Sequence, residues 1–87
     1  MWPVLALPRH RVADVRAVGT GHIRVDLVSE AGGRLSAIAF RATETDLGRF
    51  LLARRGRTIH VAGNLSTNHG NGAQQIQFRI CDAADPE

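Results

Sequence analysis

One short amphipathic helix, set between apolar segments with the pattern of β-strands, constrains this chain more than any other feature. Residues 32–57 run from a glycine turn through the apolar segment LSAIAF to a helix, and then to Arg54-Arg55-Gly56-Arg57. Leu47, Phe50 and Leu51 are spaced i, i+3 and i+4, so they share one face of the helix. A helix of about two to three turns is the right size to cover one end of a small barrel.

Sequence signals define both ends of this helix. Thr43 or Thr45 can cap its first turn, because a threonine hydroxyl accepts hydrogen bonds from free backbone N–H groups. Arg54 and Arg55 suit the negative end of the helix dipole. Gly56 suits the left-handed conformation that commonly follows a helix. The chain is therefore expected to leave the helix at these arginines.

Five segments have the pattern of strands. They are residues 11–18, 22–29, 34–41, 58–66 and 74–82. In the second, fourth and fifth, apolar and polar residues alternate, as in strands with one buried face. The inward residues predicted for these three strands are Ile23, Val25, Leu27, Ile59, Val61, Gly63, Leu65, Ile76, Phe78 and Ile80. The apolar run of the third strand is nearly continuous, so both of its faces are expected to be covered.

Two strands carry signs of local irregularity. The first alternates imperfectly, because Val12 and Val15 have opposite parity, and this predicts a bulge. In the fourth, Gly63 among the inward positions predicts a tight corner or a bulge.

The element order β1-β2-β3-α-β4-β5 is that of a five-stranded Greek-key barrel of the OB type, an all-β fold with one short helix. The length of 87 residues predicts a single OB-fold domain, residues 1–87. Residues 1–10 are expected to be an extended leading segment, because Pro3 and Pro8 disfavour a helix. Residues 83–87 are expected to be a frayed tail.

Charge and cysteine content narrow the possible partners. All 11 basic residues are arginine, and the formal net charge is +3. Arginine pairs with phosphate through a planar fork and stacks on bases, which favours a nucleic-acid partner, although a GC-rich gene explains the same bias. The single Cys81 excludes an internal disulfide and fits a reducing compartment. With no secretory signal and no apolar run of about 20 residues, the chain is expected to be cytoplasmic, without a membrane partner.

The outward positions of the strands form the candidate binding surface. They carry hydrogen-bond donors of the kind that contact phosphates and base edges. These residues are His22, Arg24, His60, Asn64, Ser66, Gln75, Gln77 and Arg79, with Arg34 and Arg41 at the ends of the third strand. Phe40, Phe50 and Phe78 fall on positions predicted to be buried, so stacking falls to arginine and histidine. The alternative is that a sheet exposed to water simply carries polar residues.

Catalytic and metal-binding patterns are absent from the sequence. The four histidines have no spacing typical of a zinc site, and only His22 and His60 are expected to converge across strands. Asp14, Asp26 and Asp82 are dispersed over the strands, and no serine, histidine and acid follow a triad pattern. We therefore predict that this chain alone is not an enzyme and holds no cofactor.

Three segments resemble one family of proteins. They are GGRLSAIAFR in the third strand, VAGNL in the fourth, and NGAQQIQFRICDA, which contains the fifth. They make residues 5–84 similar to the C-terminal OB domain of RecJ, the bacterial exonuclease specific for single-stranded DNA. That family commonly has a bulky residue before the turn that joins the last two strands, where this chain has His69-Gly70.

The resemblance implies that the chain is part of a larger enzyme of DNA repair and recombination. In such enzymes, DHH and DHHA1 domains lie upstream and degrade single-stranded DNA from the 5′ end with Mg²⁺ or Mn²⁺. The motifs that bind those metals do not occur in this sequence. Because the OB domain of such enzymes helps to grip the strand, the expected partners are single-stranded DNA and the DHH and DHHA1 domains of the same polypeptide.

Each residue of the candidate surface then receives an expected role. Phosphates are neutralised by Arg24, Arg34, Arg41 and Arg79. Sugars or bases accept hydrogen bonds from Asn64, Gln75 and Gln77. Stacking is assigned to His22 and His60, and the border of the groove to Asn68 and His69 in the predicted loop Thr67–Gly72. Three alternatives stay open: an interdomain docking domain with negligible DNA affinity, which the scarcity of exposed aromatic residues favours, an RNA-binding OB module, and a small stand-alone enzyme.

Overall fold

Five strands and one short helix form a closed barrel. The computed structural model describes the backbone of residues 4–70 and 73–86 and the side chains of residues 4–66 and 77–86. The elements are β1 (Leu5–Val18), β2 (His22–Val28), β3 (Arg34–Ala39), α1 (Asp46–Leu52), β4 (Thr58–Gly70) and β5 (Ala73–Ala84). The strands close in the order β1-β2-β3-β5-β4, with β3 and β5 parallel. This arrangement confirms the predicted OB-fold barrel.

The long first strand closes the barrel because it pairs with two neighbours. It is antiparallel to β4 along its first half and to β2 along its second half. Its register shifts between Val12 and Asp14, so Val12 and Val15 both face the core. This shift is the predicted bulge. The predicted leading segment, residues 1–10, needs correction: β1 begins at Leu5, because pairing with β4 draws this part of the chain into the sheet.

The barrel interior is apolar. Its buried side chains are Val12, Val15, Ile23, Val25, Leu27, Ala37, Ala39, Ala42, Leu51, Ile59, Val61, Phe78 and Ile80. The inward positions predicted for β2 are therefore confirmed. Leu65, predicted to face inward, is 41% exposed. The first pair between β1 and β4 is Leu5 with Gly63. Leu65 lies two residues further along β4, so no described residue of β1 pairs beside it and covers it. The side chain of Ile76 lies outside the described residues.

The hairpin of β4 and β5 is longer than predicted. Its register continues to Gly70 and Ala73, so the predicted loop Thr67–Gly72 is strand as far as Gly70, and residues 71–72 lie outside the described residues. Asparagine and glycine are frequent in turns, which is why the sequence predicted a loop here. Antiparallel pairing with β5 supplies hydrogen-bond partners for the same backbone groups.

Gly63 marks the point where β5 comes closest to β4. The register shifts between Ala62 and Gly63, which confirms the predicted irregularity. A Cβ at Gly63 would overlap the carbonyl oxygen of Arg79 and come within 3.0 Å of the Phe78 ring. Only glycine allows this approach, and the approach brings Arg79 beside β4.

The helix α1 packs on the barrel through its predicted apolar face. Its N-cap is Thr45, whose hydroxyl accepts a hydrogen bond from the Gly48 N–H at 3.1 Å. Leu51 is buried, and Leu47 and Phe50 pack partly buried against the core. Gly56 has the predicted left-handed conformation, with a φ of 79°. The helix, however, ends at Leu52 and is capped by Ala53, so it does not reach Arg54 and Arg55 as predicted. In the part of the chain that the structure describes, no helix is long and apolar enough to cross a membrane.

The end of β5 is fixed to the end of α1. Arg54 donates two hydrogen bonds to the carboxylate of Asp85, each 2.8 Å long, and its guanidinium lies 4.2 Å from the centre of the Phe50 ring. The predicted frayed tail, residues 83–87, is therefore ordered at least to Asp85: β5 reaches Ala84, and the ion pair holds the next residue.

Candidate nucleic-acid interface

The candidate interface is the outer surface of four adjacent strands, β2, β3, β5 and β4. Arg24 pairs with Ile38, Ile38 pairs with Arg79, and Arg79 pairs with Asn64. Residues paired across a sheet point to the same side, so these four side chains form one row outside the barrel. The sequence predicted three of them, Arg24, Asn64 and Arg79, for one face.

Phe40 ends this surface, and it corrects the prediction that it is buried. β3 ends at Ala39, two residues before its predicted end at Arg41, and the Phe40 side chain is 43% exposed. Because Ala39 faces the core, the next residue has the outward direction. The continuous apolar run hid this, since the outward Ile38 is as apolar as its inward neighbours. The signal that could have revealed it is Ser36, a polar residue with the same parity.

Two side chains, those of Arg79 and His22, lie against the Phe40 ring. The Arg79 guanidinium carbon lies 4.6 Å from the centre of the Phe40 ring, a cation–π contact. The His22 ring meets Phe40 edge to face, with centres 5.1 Å apart and planes at 78°. We call His22, Phe40 and Arg79 the Phe40 platform. It presents flat, exposed groups of the kind on which nucleobases stack.

A shallow pocket lies beside the platform. It has a volume of about 280 Å³ and is lined by Phe40, Asn64, Arg79, Ile80 and Cys81. The Asn64 amide offers both donors and an acceptor there, so it can hydrogen-bond to the polar edge of a planar ring. Cys81 is an exposed free thiol at the rim.

The backbone beside the platform is held in an unusual conformation. Arg41 has a φ of 52°, in the left-handed region, and its N–H donates a hydrogen bond to Nδ1 of His22 at 3.0 Å. Such a conformation costs about 1–3 kcal/mol for a residue other than glycine. The hydrogen bond to His22 offsets part of this cost. His22 therefore positions Arg41 as well as contacting Phe40.

The charge of this surface is unevenly compensated. Arg24 lies 3.8 Å from Asp26, an exposed pair of the kind that contributes little to stability. Among the residues whose side chains are described, neither Arg41 nor Arg79 has an acidic partner within 4.0 Å. The platform end of the surface is therefore positive and can attract an anion.

The remaining predicted residues lie apart from the platform or outside the described side chains. Arg34 pairs with Val28 at the opposite end of β3, and Gln77 pairs with Ser66 on the β4–β5 hairpin. The backbone of that hairpin also carries Asn68, His69 and Gln75, whose side chains lie outside the described residues.

His22 and His60 do not converge. His22 pairs with Val18, the last residue of β1, whereas Nδ1 of His60 accepts a hydrogen bond from the N–H of Arg9 near the start of β1. The sequence gives the parity of a residue but not its position along a neighbouring strand, which is why this prediction was wrong.

Metal ligands are not clustered in the described part of the chain. No group of three or more His, Cys, Asp or Glu side chains there could hold a metal ion. The Phe40 platform, Asn64 and the arginines of this surface offer stacking, hydrogen bonding and charge neutralisation.

Comparison with known proteins agrees with this architecture. Three crystal structures of Rim1, a mitochondrial single-stranded DNA-binding protein of S. cerevisiae, superpose with TM-scores of 0.74, 0.68 and 0.69. Their sequence identities are 10%, 9% and 10%, and the alignments cover 100% of this chain and 100%, 99% and 99% of theirs. At such identities the similarity concerns the fold alone. No curated protein matches the chain.

The barrel and its outer surface thus define an OB-fold protein. Residues 1–82 match the family described as the RecJ OB domain. The chain belongs to this family, and the resemblance carried by its third, fourth and fifth strands is confirmed.

Proposed function

We propose that this chain is the single-stranded DNA-binding OB domain of a RecJ-type 5′–3′ exonuclease specific for single-stranded DNA. In this proposal, bases stack on the Phe40 platform, Arg24, Arg41 and Arg79 neutralise phosphates, and Asn64 hydrogen-bonds to a base edge. The observation that carries it is Phe40, an exposed aromatic ring in contact with Arg79 on the outer face of an OB barrel.

Stacking explains a preference for single strands. A duplex presents its base faces only to neighbouring bases, whereas a single strand can lay them on an aromatic ring. Each stacked base contributes about 1–3 kcal/mol to binding, largely independent of sequence. That the structurally similar Rim1 is named a single-stranded DNA-binding protein supports the same use of this fold.

The proposal assigns catalysis to other domains of the same polypeptide. As an OB domain, the chain is a binding module. The DHH and DHHA1 domains, with Mg²⁺ or Mn²⁺, would supply hydrolysis, and this domain would hold the strand that enters them. The described residues contain no cluster of metal ligands, so no step of this proposal passes through a metal held here. An exposed Phe40 places one aromatic residue on the outer surface, where the sequence predicted none, and this weakens the argument for a docking role without DNA affinity.

The test is the substitution Phe40→Ala, measured by fluorescence anisotropy with a labelled single strand of about 15 nucleotides. Loss of one stacked base is expected to raise Kd about 5- to 150-fold. The matched control is Leu52→Ala, which removes an equally exposed apolar side chain from α1 that belongs neither to the Phe40 platform nor to the lining of the pocket beside it. If both variants bind as tightly as the wild type, Phe40 does not stack on DNA. If the wild-type domain itself does not bind, the docking role is correct.

A further inference from the structure

We propose a second phosphate-binding surface at the other end of the barrel, formed by Arg9, Arg11 and Arg34. It takes up phosphates of the same DNA strand that the Phe40 platform holds, and this inference rests on the function proposed above. The sequence pattern did not group these three arginines. Arg11 and Arg34 lie on different strands, β1 and β3, and Arg9 lies in an irregular part of β1.

The strand register brings two of the arginines together. Arg11 pairs with Thr58 of β4 on one side and with Val28 of β2 on the other, and Val28 pairs with Arg34. These four residues form a row across the barrel, with Arg11 and Arg34 both exposed. Along β2, the row lies six residues from His22, which is about 20 Å. The second surface is therefore distinct from the platform but lies on the same sheet.

The second surface is positive and has room for a ligand. None of the ion pairs in the described part of the chain includes Arg9, Arg11 or Arg34. A wide groove of about 620 Å³ lies beside Arg9 and Arg11, and Ser29, Glu30, Thr58 and Pro86 also line it. Arg34 does not line this groove but lies next to it, because it pairs with the lining residue Val28. The Ser29 Oγ already accepts a hydrogen bond from the Gly33 N–H at 3.0 Å, which leaves its own proton free to donate to an anion.

The backbone of Arg9 is held in the same way as that of Arg41. These two are the non-glycine residues with positive φ in the described chain, at 51° and 52°. In each case the N–H donates to a histidine Nδ1 at 3.0 Å, from Arg9 to His60 and from Arg41 to His22. Strained conformations persist where the surrounding structure enforces them, and they cluster at ligand-binding sites. Two arginines positioned alike at the two ends of one sheet point to two sites for one kind of group.

The features of this groove favour phosphate as its ligand. Arginine forks and hydroxyl donors match phosphate oxygens, and Arg24 lies between the two surfaces on the outer side of β2. A strand that leaves the platform along β2 passes Arg24 and then Asp26, which lies 3.8 Å from Arg24, before it reaches Arg11 and Arg34. The carboxylate of Glu30 at the groove repels an anion. We therefore expect that removing its charge strengthens binding of DNA that reaches the groove.

The test compares two lengths of single strand, about 4 and about 16 nucleotides, which are the limits of the site sizes of OB domains. The variant is Arg11→Ala with Arg34→Ala, two exposed strand residues without left-handed backbone. The longer strand is expected to bind more weakly, with the slope of log K against log salt flatter by about 1.4, which is two contacts at about 0.7 each. The shorter strand, held by the platform, is expected to bind as before. Glu30→Gln is expected to tighten binding of the longer strand only.

The matched control is Arg49→Glu, which removes the same two units of charge from exposed α1. If the double variant binds the longer strand as the control does, the groove does not hold DNA phosphates, and the proposal is wrong. If both lengths lose affinity equally, the arginines belong to a single site with the platform. Neither result contradicts DNA binding at the platform, which the Phe40→Ala variant tests separately. If the wild type binds neither length, both proposals fall.

Discussion

Gly48 is the residue at which α1 comes closest to the barrel. A Cβ there would overlap the carbonyl oxygen of Ala42 and approach Cδ1 of Ile23 to 2.9 Å. The site therefore tolerates no side chain, although glycine is a poor residue for the middle of a helix.

Gly48→Ala is expected to destabilise the domain. Alanine favours a helix by up to about 1 kcal/mol over glycine, but overpacking against a backbone carbonyl costs about 1–3 kcal/mol or more. The free energy of unfolding, measured by urea denaturation, is expected to fall. The control is Gly33→Ala, where a smaller loss is expected, because the nearest atom is a side-chain oxygen, Oγ of Ser29 at 3.3 Å, and not a backbone carbonyl. A Gly48→Ala variant more stable than the wild type would contradict the packing described for α1.

At the candidate site, the sequence was least informative about single residues. Parity placed Arg24, Asn64 and Arg79 on the outer face, because polar residues alternated with apolar ones in their strands. The same rule failed at Phe40, since an outward aromatic residue in an apolar strand resembles an inward one. The contact between Arg79 and Phe40 joins residues far apart in sequence, and no local pattern encodes it.

At the level of secondary-structure elements, the link between β5 and α1 is the contact that the sequence did not reveal. Arg54 was expected to interact with the helix dipole, and Asp85 was expected to lie in a tail. The two are 31 residues apart, and they meet because the barrel brings the end of β5 to the end of α1. Local signals predicted the start of the helix, but they did not predict which distant segment would pair with Arg54.

This link predicts a pH dependence of stability. The hydrogen bonds from Arg54 lower the pKa of Asp85 below its ordinary value. A carboxyl with a lower pKa in the folded state stabilises the fold above its unfolded pKa, about 3.9, and loses this effect as the pH falls through the folded pKa. Asp85→Asn is therefore expected to be less stable than the wild type at neutral pH, by a small amount because water reaches both groups. The difference is expected to vanish in acid.

Urea denaturation over a pH series measures this difference. Arg54→Gln is the matched variant, and the double variant is expected to lose little more than either single one, because both remove the same interaction. A difference between wild type and Asp85→Asn that persists unchanged at the lowest pH would show that the carboxylate is not the stabilising group.

For the molecule as a whole, the sequence predicted the architecture well. Alternation in β2, β4 and β5, together with one capped helix after the third strand, is sufficient to indicate a five-stranded Greek-key barrel. It did not predict how far the strands run. β1 starts earlier and the β4–β5 hairpin reaches further, because pairing with a neighbour overrides the local preference of proline, asparagine and glycine.

The central claim is that the outer face of this barrel grips single-stranded DNA through charge and stacking. The most direct measurement is a salt titration of binding to a labelled single strand of about 15 nucleotides, beside the duplex of the same sequence. It compares the wild type with Arg24→Ala/Arg79→Ala. We expect the wild type to prefer the single strand, and the double variant to bind more weakly with a salt slope flatter by about 1.4. Unchanged affinity and slope in the double variant, or no binding by the wild type at low salt, would contradict the claim.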